Sequence, residues 1–222
     1  MDDQRSLKRL RDLAITLWII AGVMYLAMAI PGARDWIQSI DDQIFTMAVD
    51  GEARPWVDIA KTLTFIGSST VMFPFVMIVA AYLYWKKHKI ATLFWLSALA
   101  VAETLIWVTK VVYARPRPPM ALVTTHSYSF PSGHAGTAAA VAAGIVLLLV
   151  LRKSRHWYFD ALAVAYVIAV AWSRVYLRAH WLSDVFTGAA LGAAVAISAF
   201  LVVSLLVRHG RLPATNDGAV AS

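Results

Sequence analysis

No cysteine occurs in the chain, which excludes disulfides and thiolate chemistry and leaves the redox compartment open. Charge is scarce as well. Charged residues make up 15 % of the chain and apolar residues 60 %, with a mean hydropathy of +0.65. A soluble domain is nearer half apolar and about a quarter charged. One small globular core cannot hide that surplus in 222 residues, so lipid must take it. The net charge of +7 does not mark a nucleic-acid binder, because the basic residues fall mostly in short runs between apolar stretches.

Six apolar segments can be read, near 13–30, 63–85, 90–109, 135–151, 157–173 and 181–207. A helix needs about 20 residues to cross roughly 30 Å of hydrocarbon, and it satisfies its own backbone hydrogen bonds there. The fourth and fifth segments are short for this and must borrow flanking residues. The fold class expected is therefore an all-α integral membrane protein of six transmembrane helices, a single membrane-embedded domain over residues 1–222.

Arg5, Lys8, Arg9 and Arg11 precede the first segment. Lys86, Lys87 and Lys89 follow the second, Arg152, Lys153 and Arg155 follow the fourth, and Arg208 and Arg211 follow the last. Alternating spans put all of these on one side, which the positive-inside tendency makes cytoplasmic, with both termini. The stretch 31–62 then reads as an outer loop rich in acids (Asp35, Asp41, Asp42, Asp50, Glu52 and Asp58), with Trp36 and Trp56 as interfacial anchors. Ala27-Met28-Ala29 has the look of a cleavage site, but the apolar stretch before it exceeds a usual signal-peptide core, so the first segment is read as a retained span.

Two outer segments are polar. Lys110 to His134 is rich in Arg, Pro, Ser and His, and Ser173 to Asp184 lies between the last two spans. They place Lys110, Arg115, Arg117, Arg174 and Arg178 against the positive-inside tendency, and anion binding supplies a reason. His180 and Asp184 are four apart, so a helix would set them on one face. An Asp that accepts from one imidazole nitrogen leaves the other oriented for attack. Ser132 and Gly133 open an apolar helix, whose N-terminal amides suit a phosphate, and Gly133 permits close backbone approach. Lys110, Arg117 and Arg174 add the positive charge that phosphoryl oxygens require.

Three motifs carry a family resemblance. Lys110 is followed after six residues by Arg117-Pro118. Pro131-Ser132-Gly133-His134 is complete, and Ser173-Arg174 is followed by His180 and Asp184 at the family spacing. The chain thus resembles the type 2 phosphatidic acid phosphatase (PAP2) superfamily, in particular its bacterial membrane lipid phosphatases, and an acid phosphatase-like helical bundle is implied. The resemblance further implies that His180 attacks phosphorus to form a phosphohistidine while Asp184 orients it. His134 protonates the leaving oxygen and then helps to activate water; Lys110, Arg117, Ser132, the Gly133 amide and Arg174 hold the phosphate. No metal, cofactor or obligatory protein partner is implied beyond the bilayer and a lipid phosphate or diphosphate.

Arg115 and Arg178 fall outside the motif positions; each either assists a second phosphate or snorkels at the interface. Glu103 lies seven residues before Lys110, and either pairs with a site cation or hydrogen-bonds a neighbouring helix while protonated. His126 reads as a loop histidine, and His88, His156 and His209 lie on the basic side, away from the site. Gly188 to Gly192 and the small residues of the fourth segment allow close helix contact, which would bring His134 beside His180. Neither group of glycines follows a strand, as a dinucleotide site requires.

A site on the outer face of a bacterial inner membrane suits undecaprenyl diphosphate, hydrolysed to undecaprenyl phosphate. The alternatives are phosphatidylglycerophosphate or phosphatidic acid as substrate, a lipid phosphotransferase, or a lipid-phosphate binder or translocator without turnover.

Overall fold

The structure, a computed structural model, describes residues 2–151, 156–209 and 212. Arg152, Lys153, Arg155 and Arg211, four of the five basic residues at two boundaries, lie outside the described residues. Among the described residues the regular elements are all helical: α1 (Asp2–Ala29), α2 (Pro31–Asp50), α3 (Arg54–Ile66), α4 (Ser69–Trp85), α5 (Lys89–Tyr113), α6 (Gly133–Leu151), α7 (Trp157–Tyr176) and α8 (Leu182–Arg208). Six spans are long and apolar enough to cross a membrane, with α3 and α4 together forming one of them.

The expected outer loop at 31–62 is instead helical. Residues 31–50 form α2, and the second span begins at Arg54 rather than near 63. The acidic residues hide a helical stripe: Ile37, Asp41 and Ala48 are buried on one face, while Trp36 and Met47 are exposed. A carboxylate in the middle of that buried stripe makes the segment read as polar. α3 ends at Gly67, where an added Cβ would come within 2.9 Å of Val170 on α7, so the joint with α4 is pressed against that helix. Trp56 stays exposed and meets Trp172 of α7 edge-on at 6.2 Å.

Spans also run further than their apolar runs. α5 continues to Tyr113 and carries Lys110 in its last turn; α7 continues to Tyr176 and carries Arg174 in its own. Each helix thereby delivers a cation to the same end of the bundle. α5 stops at Ala114, which is left-handed, because Pro116, Pro118 and Pro119 lack the amide that a helix needs.

α8 is the central helix, 56 % of its most apolar stretch being buried, against 17 % for α1 and α7. Trp95, Leu99, Ala140, Val141, Leu191 and Val195 pack together from α5, α6 and α8, and Phe94, Leu147 and Phe200 form a second layer with Ala14 of α1. Two apolar crevices, of 420 and 500 Å³, flank α7; neither is lined by any of the motif residues.

The α6–α8 contact follows from the small-residue pattern. A Cβ on Gly192 would lie 2.0 Å from the Gly136 carbonyl oxygen, and one on Gly188 would lie 2.4 Å from the Ser132 carbonyl oxygen. Both obstacles are backbone and cannot rotate away. Gly192→Ala is expected to destabilise the protein by about 1–3 kcal/mol through overpacking, read as a lower midpoint of thermal unfolding in detergent.

Candidate active site

The polar end of the bundle is built by the 114–132 segment and the turn between α7 and α8. The turn closes locally: the Ala179 and His180 amides donate to the Arg174 carbonyl at 3.0 and 3.2 Å, with Arg178 in the left-handed region at φ 55°. The segment is then tied to it. The Leu122 amide donates to the Leu177 carbonyl at 3.0 Å, and the Ser132 amide to the Asp184 carbonyl at 2.9 Å. Within the segment, the Ser129 amide donates to the Arg115 carbonyl at 2.9 Å.

His180 precedes α8 rather than lying on it, and Asp184 stands in the first turn. The pair still meets, with His180 Nδ1 3.3 Å from Asp184 Oδ2. Arg117 Nη1 lies 3.1 Å from His180 Nε2, so that nitrogen faces the cations and Nδ1 carries the proton towards the carboxylate. Asp184 is fully buried and richly supplied: Oδ1 accepts from Arg115 at 2.7 Å, while Oδ2 accepts from the Trp181 amide at 2.9 Å and from the Ser129 hydroxyl.

Lys110, Arg117 and Arg174 lie within electrostatic reach of one another. Lys110 Nζ donates to the Tyr128 carbonyl at 2.6 Å. Arg117 donates to the carbonyls of Ala179 at 2.6 Å, His126 at 2.8 Å and Ser127 at 3.0 Å. Arg174 donates to the Thr64 hydroxyl at 2.6 Å, and its Nε is a buried donor without a partner. His134, at the start of α6, lies within electrostatic reach of Arg174, His180, Arg117 and Lys110. Ser132 is buried, and its hydroxyl caps α6 by accepting from the Ala135 amide at 3.4 Å. A Cβ on Gly133 would meet only Ile106, at 3.9 Å, so the protein itself imposes no glycine there.

Two of the three secondary residues, Arg115 and Arg178, are held by carboxylates, and Glu103 takes one of its two expected partners. Arg115 neither snorkels nor stands free for a second phosphate: it is buried and ion-paired to Asp41 and Asp184, each at 2.7 Å. Arg178 is likewise buried, paired at 2.7 Å with Glu52. Glu103 contacts no site cation; it accepts from the Thr137 hydroxyl on α6, the helix-to-helix option of the two. His126 contributes its carbonyl to Arg117, so it is joined to the site through its backbone.

Asp41, Gln38, Ser129 and Ser183 were not singled out from sequence, yet all belong to the cluster. Arg115 Nη2 donates to Gln38 Oε1 at 2.6 Å, and the Ser183 amide donates to Asp41 Oδ1 at 2.9 Å. The available signal was the spacing of Ile37, Asp41 and Ala48, which puts an acid on the buried face of α2.

A buried imidazole–carboxylate pair ringed by cations, at one end of a six-span bundle, is an arrangement that suits a phosphoryl group at a membrane. Among the described residues no three His, Cys, Asp or Glu side chains converge as a metal-ligand set. The model of the PAP2 superfamily matches residues 91–208, just over half of the 222. The chain is 32 % identical over 178 residues to phosphatidylglycerophosphatase B of Bacillus subtilis, covering 77 % of this chain and 86 % of that protein. It is 30 % identical over 127 residues to an undecaprenyl-diphosphatase of Sulfolobus acidocaldarius, covering 54 % of this chain and 59 % of that one. A crystal structure of a transmembrane PAP2-type phosphatidylglycerolphosphate phosphatase from Bacillus subtilis superposes with a TM-score of 0.75 at 26 % identity, over 88 % of this chain and 96 % of that one. The chain belongs to the PAP2 superfamily, and it is a multi-pass membrane hydrolase of a lipid phosphate or diphosphate.

Burial, aided by the nearby Arg117 and Arg174 charges and opposed by Asp184, lowers the His180 pKa from 6.5 to about 4. The folded pKa lies below the unfolded one, so the unfolded chain takes up the extra proton as pH falls. This residue therefore withdraws stability between pH 6.5 and about 4 and has no such effect above that window. In a histidine ¹⁵N NMR titration of the detergent-solubilised protein, His180 should stay neutral at pH 5.5, where exposed histidines are protonated. An inflection near 6.5 would contradict this.

Proposed function

We infer that the protein removes the terminal phosphate of a glycerophospholipid phosphate, phosphatidylglycerophosphate foremost, at the outer face of a bacterial inner membrane. The orientation rests on the basic runs at the opposite ends of the spans, with both termini cytoplasmic. The observation that carries the chemistry is the pairing of His180 Nδ1 with Asp184 at 3.3 Å while Nε2 faces Arg117 at 3.1 Å. Similarity to phosphatidylglycerophosphatase B, extending over 86 % of that protein, supports the substrate.

In this reading neutral His180 attacks phosphorus through Nε2, the bond from phosphorus to the lipid oxygen breaks, and His134 passes a proton to that oxygen. Asp184 accepts from Nδ1–H and supports the positive ring of the phosphohistidine. His134, now unprotonated, takes a proton from water as the water's oxygen attacks phosphorus, releasing inorganic phosphate and restoring His180. Lys110, Arg117 and Arg174 balance the phosphoryl charge, the unpartnered Nε of Arg174 being a ready donor. Ser132 and the Gly133 amide sit at the N-terminus of α6, where the helix dipole favours an anion.

Undecaprenyl diphosphate is the second reading, favoured by the likeness to the Sulfolobus undecaprenyl-diphosphatase. The discriminating experiment is phosphate release in mixed micelles containing EDTA, comparing phosphatidylglycerophosphate, phosphatidic acid and undecaprenyl diphosphate. Fastest release from phosphatidylglycerophosphate is expected, reduced on the order of 10³-fold or more in His180→Ala. Preference for the diphosphate would transfer the role to carrier-lipid recycling, and full activity in His180→Ala would remove the proposed nucleophile. Gly133→Ala separates fold from chemistry, since the nearest atom to its Cβ is 3.9 Å away. It should leave the unfolding midpoint in place and slow phosphate release by about ten- to hundredfold, by pushing the phosphate off the α6 amides.

A further inference from the structure

The family match begins at residue 91, so nothing in it speaks for α2. Yet α2 sends two side chains, Gln38 and Asp41, into the polar cluster, and Asp41 is the charged one. Asp41 is 2 % exposed, and its neighbours Arg115 and Asp184 are 6 % and 0 % exposed. Such carboxylates and guanidinium groups are tolerated in an interior only when paired and hydrogen-bonded. Here they form a line: Asp41 Oδ2 to Arg115 Nη2 at 2.7 Å, Arg115 Nη1 to Asp184 Oδ1 at 2.7 Å, Asp184 Oδ2 to His180 Nδ1 at 3.3 Å.

The alternation of sign matters. Arg115 facing Asp184 alone would cancel the one negative charge that steadies the His180 ring. With Asp41 on its other side, Arg115 is matched, and the line retains one net negative charge next to the imidazole. Arg115 can then fix the carboxylate through its short bond to Oδ1 without neutralising its effect on the ring. Asp41 does a second thing. It accepts from the Ser183 amide at 2.9 Å and from the Ser183 hydroxyl at 2.5 Å, taking a first-turn donor of α8 that has no helical partner. The residue after Ser183 is Asp184, so the same carboxylate sets where α8 begins and where its acid points.

We propose that Asp41 of α2 is a positioning residue of the active site, acting through Arg115 to hold Asp184 in place and keep its charge available to His180. The proposal rests on His180 as the nucleophile. A bare capping role for Asp41 would stabilise α8 and leave turnover of folded protein alone; the two roles make different demands on the charge.

Asp41→Asn separates them, because Asn keeps an oxygen for the Ser183 amide and loses the charge. The variant should lower kcat about ten- to hundredfold, the usual cost of losing an outer partner of a functional side chain, with KM within about twofold of wild type. Combined with Arg115→Gln it should cost nothing more: once residue 115 is neutral, the charge at 41 has nothing left to balance. Equal kcat in Arg115→Gln and in Asp41→Asn/Arg115→Gln supports the proposal, and this comparison stands even where Asp41→Asn alone does not fold. An unchanged kcat in Asp41→Asn, or a loss that recurs undiminished in the Arg115→Gln background, overturns it.

A readout without turnover is the ¹H shift of His180 Nδ1–H, which should move upfield in Asp41→Asn as its bond to Asp184 weakens; no movement overturns the proposal. Wild type inactive on every lipid phosphate would remove the proposed function, and the proton shift would still decide the coupling. Wild type active with Asp41→Asn indistinguishable from it would leave the function standing and remove only the role of Asp41.

Discussion

A fully buried carboxylate needs enough donors to replace water, and Asp184 is where this protein meets that demand. Its four donors come from four places: the guanidinium of Arg115, the hydroxyl of Ser129, the amide of Trp181 and the ring of His180. Satisfying them requires the proline-rich segment to fold back from the end of α5 and the α7–α8 turn to close tightly. It also requires α2 to lie against both, because Arg115 brings its own charge into the interior and needs Asp41 in return. A large part of the polar end of the molecule is thus organised around one side chain.

Close approach of α6 and α8 makes the rest possible. In lipid, helices gain little from apolar burial against each other, and small residues that let backbones touch take over. Gly188 lies against the Ser132 backbone and Gly192 against that of Gly136, so α8 is pinned to the first turns of α6. Those are the turns that begin with Ser132, Gly133 and His134. The Ser132 amide then donates to the Asp184 carbonyl at 2.9 Å, locking the start of one helix to the start of the other. The packing that holds the bundle together is also what sets the second imidazole near the first.

Much of this was legible beforehand, for identifiable reasons. Apolar runs reveal spans because the bilayer imposes length and hydropathy, and the motif residues have fixed spacing within short segments. The α6–α8 seam could be read from Gly188 and Gly192 because close packing leaves a four-residue signature. What escaped was long-range pairing. Asp41 lies 142 residues from Ser183, and the spacing of Ile37, Asp41 and Ala48, which sets an acid on one face of α2, does not say what that acid meets. The helical stripe of α2 was masked by that acid itself. Lys110 and Arg174 read as loop cations because hydropathy falls before the helix ends, whereas helices can carry cations in their last turn, where the dipole favours them. Glu103 had two readings from sequence, and only the side chain opposite, Thr137, distinguishes them.

Charge pairing also sorts the five basic residues at the polar end of the bundle. Arg115 and Arg178 are bound to carboxylates, and a phosphate would have to displace Asp41 and Asp184, or Glu52, to reach them. Lys110, Arg117 and Arg174 donate instead to neutral oxygens, and among the described residues none of the three is ion-paired. A phosphate dianion is a far stronger acceptor than a carbonyl or a hydroxyl, so these three can exchange partners at a gain, and the paired two cannot. The cations left without carboxylates are the ones at motif positions. In a site that must admit an anion from the membrane surface, the acids therefore matter as much as the bases: by occupying Arg115 and Arg178, they determine which positive charges remain free to meet the substrate.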